Sequence, residues 1–592
     1  MPTTSSWKST ASVVAVVGAL TVTGCTSLPD AQTHAGALWV GTTASGEEVA
    51  GVSDVTVAVE PTTLGGGVEV DDDGTLTGPT WRKTSVVSAA MGVLGSGMEI
   101  PDGVTVFYRG GQNLDGPSAG GLLTSAVIGA LRSTPLDSTV TMTGTIAPST
   151  AIGPVAGIPA KIRAAAEDGY RTVLIPQQQQ LFTDATNDEP IDTISYGADL
   201  GIEVIPVATV REAYALLTGQ QPNTAATATS VTGPMNASVT TYLTTRTDDA
   251  LDLMDTALTT SNPNNVFPDT LIADANTVRT HARTHPDATL VLPALSVARE
   301  ATVLTATSGA PPTAAELTSD VATALNECAL LRNKPMNITY LEQATAFTAT
   351  TSHASSICTT MTLIDQWLSD GTTNFSPDLL NAAHVETHNA LFMLTHTIPL
   401  GWQIAARTGT TPLTPDATDA LQRYTTLLAN AADANRAYTN ALAGNDIRQE
   451  PWFTRRAEQP NPPTTPTTKP RTTEDITWAL ATQTANFTTT GMTVSDAYTF
   501  AIHPDLTTNQ TPERGTVTNR ALFTQHAYAA LSQIQHTVNV MTTHNHDPSF
   551  FVWLGNNALF MATDMTDPII ERDGLYALLD TAVNATITAN SP

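Results

Sequence analysis

Positive charge is scarce in this sequence. Lys and Arg together number 26 in 592 residues, against 55 Asp and Glu, for a formal net charge of −29. Nucleic-acid binding rests on clustered cations that neutralise phosphates, so this balance excludes a nucleic-acid partner and favours a self-repelling, soluble surface. Only five residues are lysines, Lys8, Lys83, Lys161, Lys334 and Lys469, so each one invites a reason. No G-x-x-x-x-G-K-[ST] loop occurs, so no P-loop ATPase, no ATP and no other cofactor is expected. Cysteine is nearly absent, with Cys25, Cys328 and Cys358 alone.

Long apolar runs are missing too. The best candidate, residues 11–22, is too short to span a bilayer with its flanks, and it follows the lone cation Lys8. It reads as the apolar core of a signal peptide ending Val22-Thr23-Gly24-Cys25, a pattern like a bacterial lipobox. Cleavage before Cys25 and lipid on its thiol would anchor the chain to the outer face of a cell membrane. The competing reading is an ordinary cleaved signal with a coincidental cysteine. In that oxidising compartment the remaining pair, Cys328 and Cys358, reads as a disulfide, with two separate buried thiols as the bland alternative.

What is present is a chain 41% apolar, long enough for a large core and, by length, three or four domains. Residues 1–24 read as the signal peptide and 25–34 as a tether. Over 35–218, strands are expected at 35–40, 55–59, 67–70, 104–108, 139–143, 172–175 and 202–207, and helices at 85–95, 122–131, from Pro159, and at 210–217. This alternation is α/β. Residues 219–237, rich in Gln, Pro, Asn, Ala and Thr, read as a linker. Three-to-four-residue apolar spacing then predicts a mostly α-helical region over 238–457, a Pro/Thr-rich excursion at 458–474, and more helix over 475–592. Whether the two helical blocks pack as one body is left open.

The stretch most suited to chemistry is Gly111-Gln112-Asn113-Leu114-Asp115-Gly116-Pro117-Ser118-Ala119-Gly120, a serine among small residues at the start of an apolar helix. A serine hydroxyl attacks poorly until a neighbouring base takes its proton. A lysine can be that base if burial or the positive end of a helix keeps it uncharged. Lys161 fits: Pro159 is a favoured first-turn residue, which places Lys161 in an opening turn between Ile158 and Ile162. Gly116, Ala119 and Gly120 would leave room for a peptide backbone, and backbone N–H groups at Ser118 would meet the oxyanion.

At these residues the chain resembles the proteolytic domain of the Lon proteases. That family's pattern is a DGPSAG-type serine loop, a Met-Thr-Gly turn, and a helix bearing lysine before a TVLIP-like strand. Here 25 residues separate Ser118 from Thr143 and 18 separate Thr143 from Lys161, without a gap. The resemblance covers residues 35–217, about a third of the chain. It implies a Lon-type α/β (α+β) fold, a Ser118–Lys161 catalytic dyad, and a Thr143 hydroxyl that holds the lysine amine. It also implies a role for Asp115 in orienting the serine loop, against the plain reading of a turn residue before glycine. Thr145 and Pro159 depart from the pattern and weaken any transfer of ATP-driven behaviour. The expected activity is an ATP-independent serine endopeptidase acting on unfolded or dedicated protein substrates, with homo-oligomeric rings as a family option. A non-catalytic lipoprotein whose helical region binds a surface partner is the reading from another class.

Two other motifs compete. Gly116 to Gly120 also satisfies G-x-S-x-G, but the strand at 104–108 stops early and no histidine follows Ser118 before His281. His384-Val385-Glu386-Thr387-His388, near His396, lacks the glutamate directly after its first histidine that a zinc peptidase needs. This motif and His544-Asn545-His546-Asp547 read as polar helix faces, with no metal expected. Phe392, Met393, Trp402, Phe551, Trp553 and Met561 read as core.

Overall fold

The computed structural model describes residues 31–43, 45–61, 67–70, 78–98, 104–110, 114–184, 187–220, 229–260, 267–370, 375–443, 472–495, 503–505, 513–516 and 520–592. The expected signal peptide, Cys25, Gly111 to Asn113, residues 221–228 of the linker and nearly all of the Pro/Thr-rich excursion lie outside them.

The first part is a seven-stranded sheet built from β1 (Ala31–Thr42), β2 (Glu48–Pro61), β3 (Gly67–Val70), β4 (Val104–Gly110), β5 (Val140–Met142), β8 (Thr172–Pro176) and β11 (Glu203–Val207), with β6 (Thr145–Ile146) and β7 (Ile152–Gly153) forming a separate small hairpin. The sheet order is β11-β8-β5-β1-β2-β4-β3, and β2 alone runs against the other six. A strand covered on both faces must be apolar throughout, and β8 shows it. Its Leu174 joins one core, while Val173 and Ile175 join another on the opposite face. Ala37 and Leu38 of β1 divide in the same way.

Helices α1 (Pro79–Gly95), α2 (Gly120–Leu131) and α5 (Val210–Leu217) cover one face; α3 (Ile158–Glu167) and α4 (Thr193–Asp199) cover the other. Every residue of α2 is buried, so it is a central helix with no wet side. The hairpin of β9 (Leu181–Asp184) and β10 (Asn187–Asp192), and α4 after it, were not anticipated: their alternation is interrupted by Asp, Asn and Pro.

Among the described residues, twelve α-helices follow. They are α6 (Ala237–Thr260), α7 (Asp269–Thr284), α8 (Val291–Thr307), α9 (Ala314–Arg332), α10 (Leu341–Ser369), α11 (Pro377–Phe392), α12 (Ile398–Ala405), α13 (Pro415–Ala443), α14 (Thr473–Ser495), α15 (Arg520–Thr543), α16 (Ser549–Asp564) and α17 (Pro568–Ala589). Helix α7 escapes the periodicity because only Leu271, Ala275 and Val278 carry its apolar face. Within the expected helical region, α11 and α12 are joined by a π turn at Met393–Thr397. Pro399 causes it: a proline has no N–H to give the carbonyl four residues back, and its ring crowds that carbonyl. Cys328 and Cys358 are bonded, tying α9 to α10. Phe392, Trp402, Phe551, Trp553 and Met561 are buried, and Met393 packs half-buried beside them.

The helices do not form a detached unit. Leu341 of α10, Leu421 and Tyr424 of α13, Phe487 of α14 and Ile587 of α17 share one core with α1, α2 and the sheet. Lys83 Nζ donates to the Ala437 carbonyl at 2.6 Å, and Asn590 Nδ2 to that of Leu94 at 3.0 Å. Among the described residues no helix is long and apolar enough to cross a membrane.

Candidate active site at the end of the central strands

The serine loop is fixed from both sides. Asp115 Oδ1 accepts from the backbone N–H groups of Thr80 (3.0 Å), Trp81 (3.2 Å) and Gly116 (2.9 Å), which pins the loop to the first turn of α1. On the other side Gly144 N–H donates to the Ser118 carbonyl at 2.7 Å, and Gly121 N–H to the Gly144 carbonyl at 3.0 Å. The serine loop and the Met-Thr-Gly turn are thus stitched together through backbone, which no side-chain change removes.

The expectation that Gly116, Ala119 and Gly120 all leave room for substrate needs correction. A Cβ on Gly120 would lie 2.8 Å from Ile146 Cγ2, so the β6–β7 hairpin already fills that space, and Ala119 is 4% exposed. Only Gly116 borders open space, and its φ of +104° favours glycine on backbone grounds alone.

Lys161 sits in the opening turn of α3, where its N–H makes an early helical bond to the Gly157 carbonyl at 3.0 Å. Gly157 caps this helix at φ +66°, and a Cβ there would meet Val40 Cγ1 at 2.8 Å, so glycine is what lets α3 sit close on β1. Lys161 is 2% exposed beneath the sheet, and burial lowers its pKa to about 8. Burial penalises the ammonium form, and no carboxylate opposes that effect here.

Thr143 stands between the two residues. Lys161 Nζ donates to Thr143 Oγ1 at 3.1 Å, and Thr143 Oγ1 donates to the Ser118 carbonyl at 3.2 Å. The threonine proton is committed to that carbonyl, so toward the amine Thr143 can only accept. An uncharged Lys161 held this way turns an N–H toward Thr143 and keeps its lone pair for another partner. The expected contact between hydroxyl and amine is not a direct hydrogen bond in this structure. The two residues meet through Thr143, two hydrogen bonds apart. All three lie where β5 ends, at the carboxyl ends of neighbouring parallel strands, a usual place for a site in such sheets.

The nucleophile-elbow reading finds no support, because β4 ends at Gly110 and a loop intervenes before Ser118. A histidine does approach, but elsewhere: His526 Nδ1 of α15 lies 2.9 Å from Ser149 Oγ, in the turn between β6 and β7. Both are buried, and burial pushes the His526 pKa down to about 3, so this is a neutral packing bond. No local pattern could announce it, since its partners lie 377 residues apart.

The motif at residues 544–547 is not a polar helix face. His546 Nδ1 lies 2.7 Å from Thr411 Oγ1 and 3.4 Å from Glu342 Oε1, and Asp547 N–H donates to Glu342 at 3.0 Å. It closes a buried polar knot between α10 and the turn linking α15 to α16. His384 and His388 meet edge to face on α11 with their Nε2 atoms 2.8 Å apart, beside Asp320 of α9.

Residues 101–212 match the family model described as the Lon protease (S16) C-terminal proteolytic domain. Lon protease 2 of Bacillus subtilis is 34% identical over 109 residues, 18% of this chain and 18% of that protein. A Lon protease of Neorickettsia sennetsu is 29% identical over 125 residues, 21% and 13% of the two chains. An archaeal Lon protease of Archaeoglobus fulgidus is 35% identical over 101 residues, 17% and 15%. The chain thus spans less than a fifth of the length of these relatives, and the family model's match ends before the helical region begins. Within those bounds, residues 101–212 of the α/β part are similar to the Lon-family proteolytic domain.

Proposed function

We propose that the chain is an ATP-independent serine endopeptidase in which Ser118 is the nucleophile and Lys161 the general base. The observation that carries this reading is a buried lysine, its pKa brought down to about 8, held by Thr143 against the residue that bears the nucleophilic hydroxyl. Ser118 Oγ attacks the peptide carbonyl carbon while its proton passes to Lys161 Nζ. The C–N bond then breaks and the same proton goes to the departing amine. Water, deprotonated by Lys161, opens the resulting ester. The Ser118 and Ala119 N–H groups, at the positive end of α2, are the donors that would meet the oxyanion. The reading requires the Ser118 oxygen to reach the amine when substrate binds, as catalytic contacts that are long in a free enzyme tighten on binding.

The test is cleavage of an unfolded protein by the purified full chain, with and without ATP. Ser118→Ala is expected to lose at least about 1,000-fold in rate, and ATP to change nothing. Equal cleavage by Ser118→Ala and wild type would remove the reading.

The accompanying proposal is that the lipid on Cys25 holds the enzyme on the outer face of the membrane, near protein substrates that need no unfolding motor. Cys25→Ser should release it to the soluble fraction with peptidase activity intact. A second reading is favoured by one observation, the lack of a direct Ser118–Lys161 hydrogen bond: the α/β part is a scaffold and the helical region binds a surface partner. Wild-type protein that binds a partner yet cleaves nothing would select it.

A further inference from the structure

We infer that Asp320, His384 and His388 form a binding site for one divalent transition-metal ion, of which Zn²⁺ is the best fit, that staples α9 to α11. This does not rest on the peptidase reading, and it reverses the expectation from sequence that the His-Val-Glu-Thr-His motif binds no metal.

His384 and His388 are one helical turn apart, so both imidazoles leave the same face of α11. Both present Nε2, 2.8 Å apart, and a carboxylate oxygen of Asp320 completes a set of three donor atoms that all lie within 4.8 Å of one another. Two imidazole nitrogens and one carboxylate oxygen form a donor set typical of zinc, and all three side chains are half-buried, which leaves a fourth position for water. Tetrahedral donors about 2.0–2.2 Å from a metal stand roughly 3.3–3.5 Å from each other. The nitrogens need to part by only about half an ångström, well within small side-chain rotations. Metal ligation also requires unprotonated imidazoles. Burial lowers the pKa of both histidines, and for His388 the nearness of His384 adds to the effect, while Asp320 opposes it. Glu316, one turn before Asp320, also faces His384, but its carboxylate is held in the capping box with Thr313.

The residue that would make this site hydrolytic is out of place. Glu386 follows His384 by two positions, about 200° around the helix, so it faces away from the donor cluster. The site is therefore one that binds and braces. The need for a brace is visible in α9, which offers the core only Leu317, Val321, Ala324, Cys328 and Leu331 and leaves Leu330 57% exposed. The Cys328–Cys358 bond fastens the end of this helix to α10. A metal on Asp320 fastens its middle to α11.

The experiment uses the full chain, free of any histidine tag and stripped with a chelator. Zn²⁺ alone is titrated in by calorimetry, and the thermal midpoint is followed in parallel. One Zn²⁺ per chain and a raised midpoint are expected. In His384→Gln/His388→Gln and in Asp320→Asn, affinity should fall at least about 100-fold and the midpoint shift should vanish. Asp320→Asn keeps the histidine pair, so it decides the matter if the double variant fails to fold. Absence of Zn²⁺ binding by wild type, or binding undiminished in Asp320→Asn, would overturn the site.

Discussion

The two halves of the molecule treat buried charge in opposite ways. In the helical body, buried carboxylates have partners, some of opposite charge and some neutral hydrogen-bond donors. Arg299 meets Asp573 at 2.5 Å, and Arg520 grips Glu571 with two bonds of 2.6 and 3.0 Å. Burial would raise the pKa of Glu342, but hydrogen bonds from His546, Asp547 and Thr411 outweigh it and hold the carboxyl down at about 2. In the α/β layer, Lys161 is just as buried and has only a threonine oxygen. Burial without an opposite charge is costly, and that cost is the ground for the proposal that this chain uses the amine's reactivity. Partnered charges hold the helices together, and the proposed function assigns proton transfer to the one that has no opposite charge.

The sharpest way to break that contrast is to remove each group and read both activity and stability. Lys161→Met should abolish peptide cleavage, by at least about 1,000-fold in kcat/KM. Glu342→Met should leave the α/β layer folded yet destabilise the chain by about 3–5 kcal/mol, because it strands several buried donors at once. Its sign with pH is fixed by the depressed carboxyl. The stability Glu342 contributes is complete above pH 4.5 and is lost as pH falls toward about 2. Denaturant midpoints at pH 7 and pH 3 measure both quantities; a Glu342→Met variant as stable as wild type at pH 7 would erase the distinction.

At Lys161 the dependence of stability on pH has the opposite sign. Lys161 has its pKa lowered from 10.5 to about 8, so the unfolded chain binds the proton more tightly than the folded one. The penalty is full below pH 8 and disappears as pH rises to 10.5. Each pKa unit is worth 1.36 kcal/mol, so Lys161→Met should stabilise the protein by about 1–3 kcal/mol at pH 7 and by almost nothing at pH 10.5. An inactive variant that is also less stable at pH 7 would mean that the lysine is a structural element.

What the sequence disclosed follows the same division. Ser118, Thr143 and Lys161 were legible because a site stitched through backbone fixes its spacing along the chain, and Pro159 marks the helix start in the sequence itself. The α2 run and most helices were legible because burial of a face imposes local periodicity. Contacts between distant segments impose no such pattern. The Ser149–His526 bond, the partnership of Glu342 with residues 411 and 546–547, and Asp320 beside His384 each join remote parts of the chain through single side chains. Gly120 was misread for a related reason: a glycine kept small for substrate and one kept small for a neighbour such as Ile146 look the same in sequence.

The smallest effect is the most discriminating, because it separates positioning from structure at Thr143. Peptidase activity needs the uncharged amine, so kcat/KM should rise with pH and level off above about 8. Thr143→Val removes the oxygen that accepts from Lys161, and a lost acceptor weakens the cation more than the neutral amine. The pH profile should therefore shift to lower pH while the plateau falls roughly 10-fold, since the lone pair is no longer aimed. Thr143→Ser restores the oxygen and should restore both. A purely structural threonine would lower the plateau, if anything, and leave the midpoint where it was. A midpoint unmoved in Thr143→Val would place the lysine's orientation elsewhere, in the close seating of α3 on β1 that Gly157 permits.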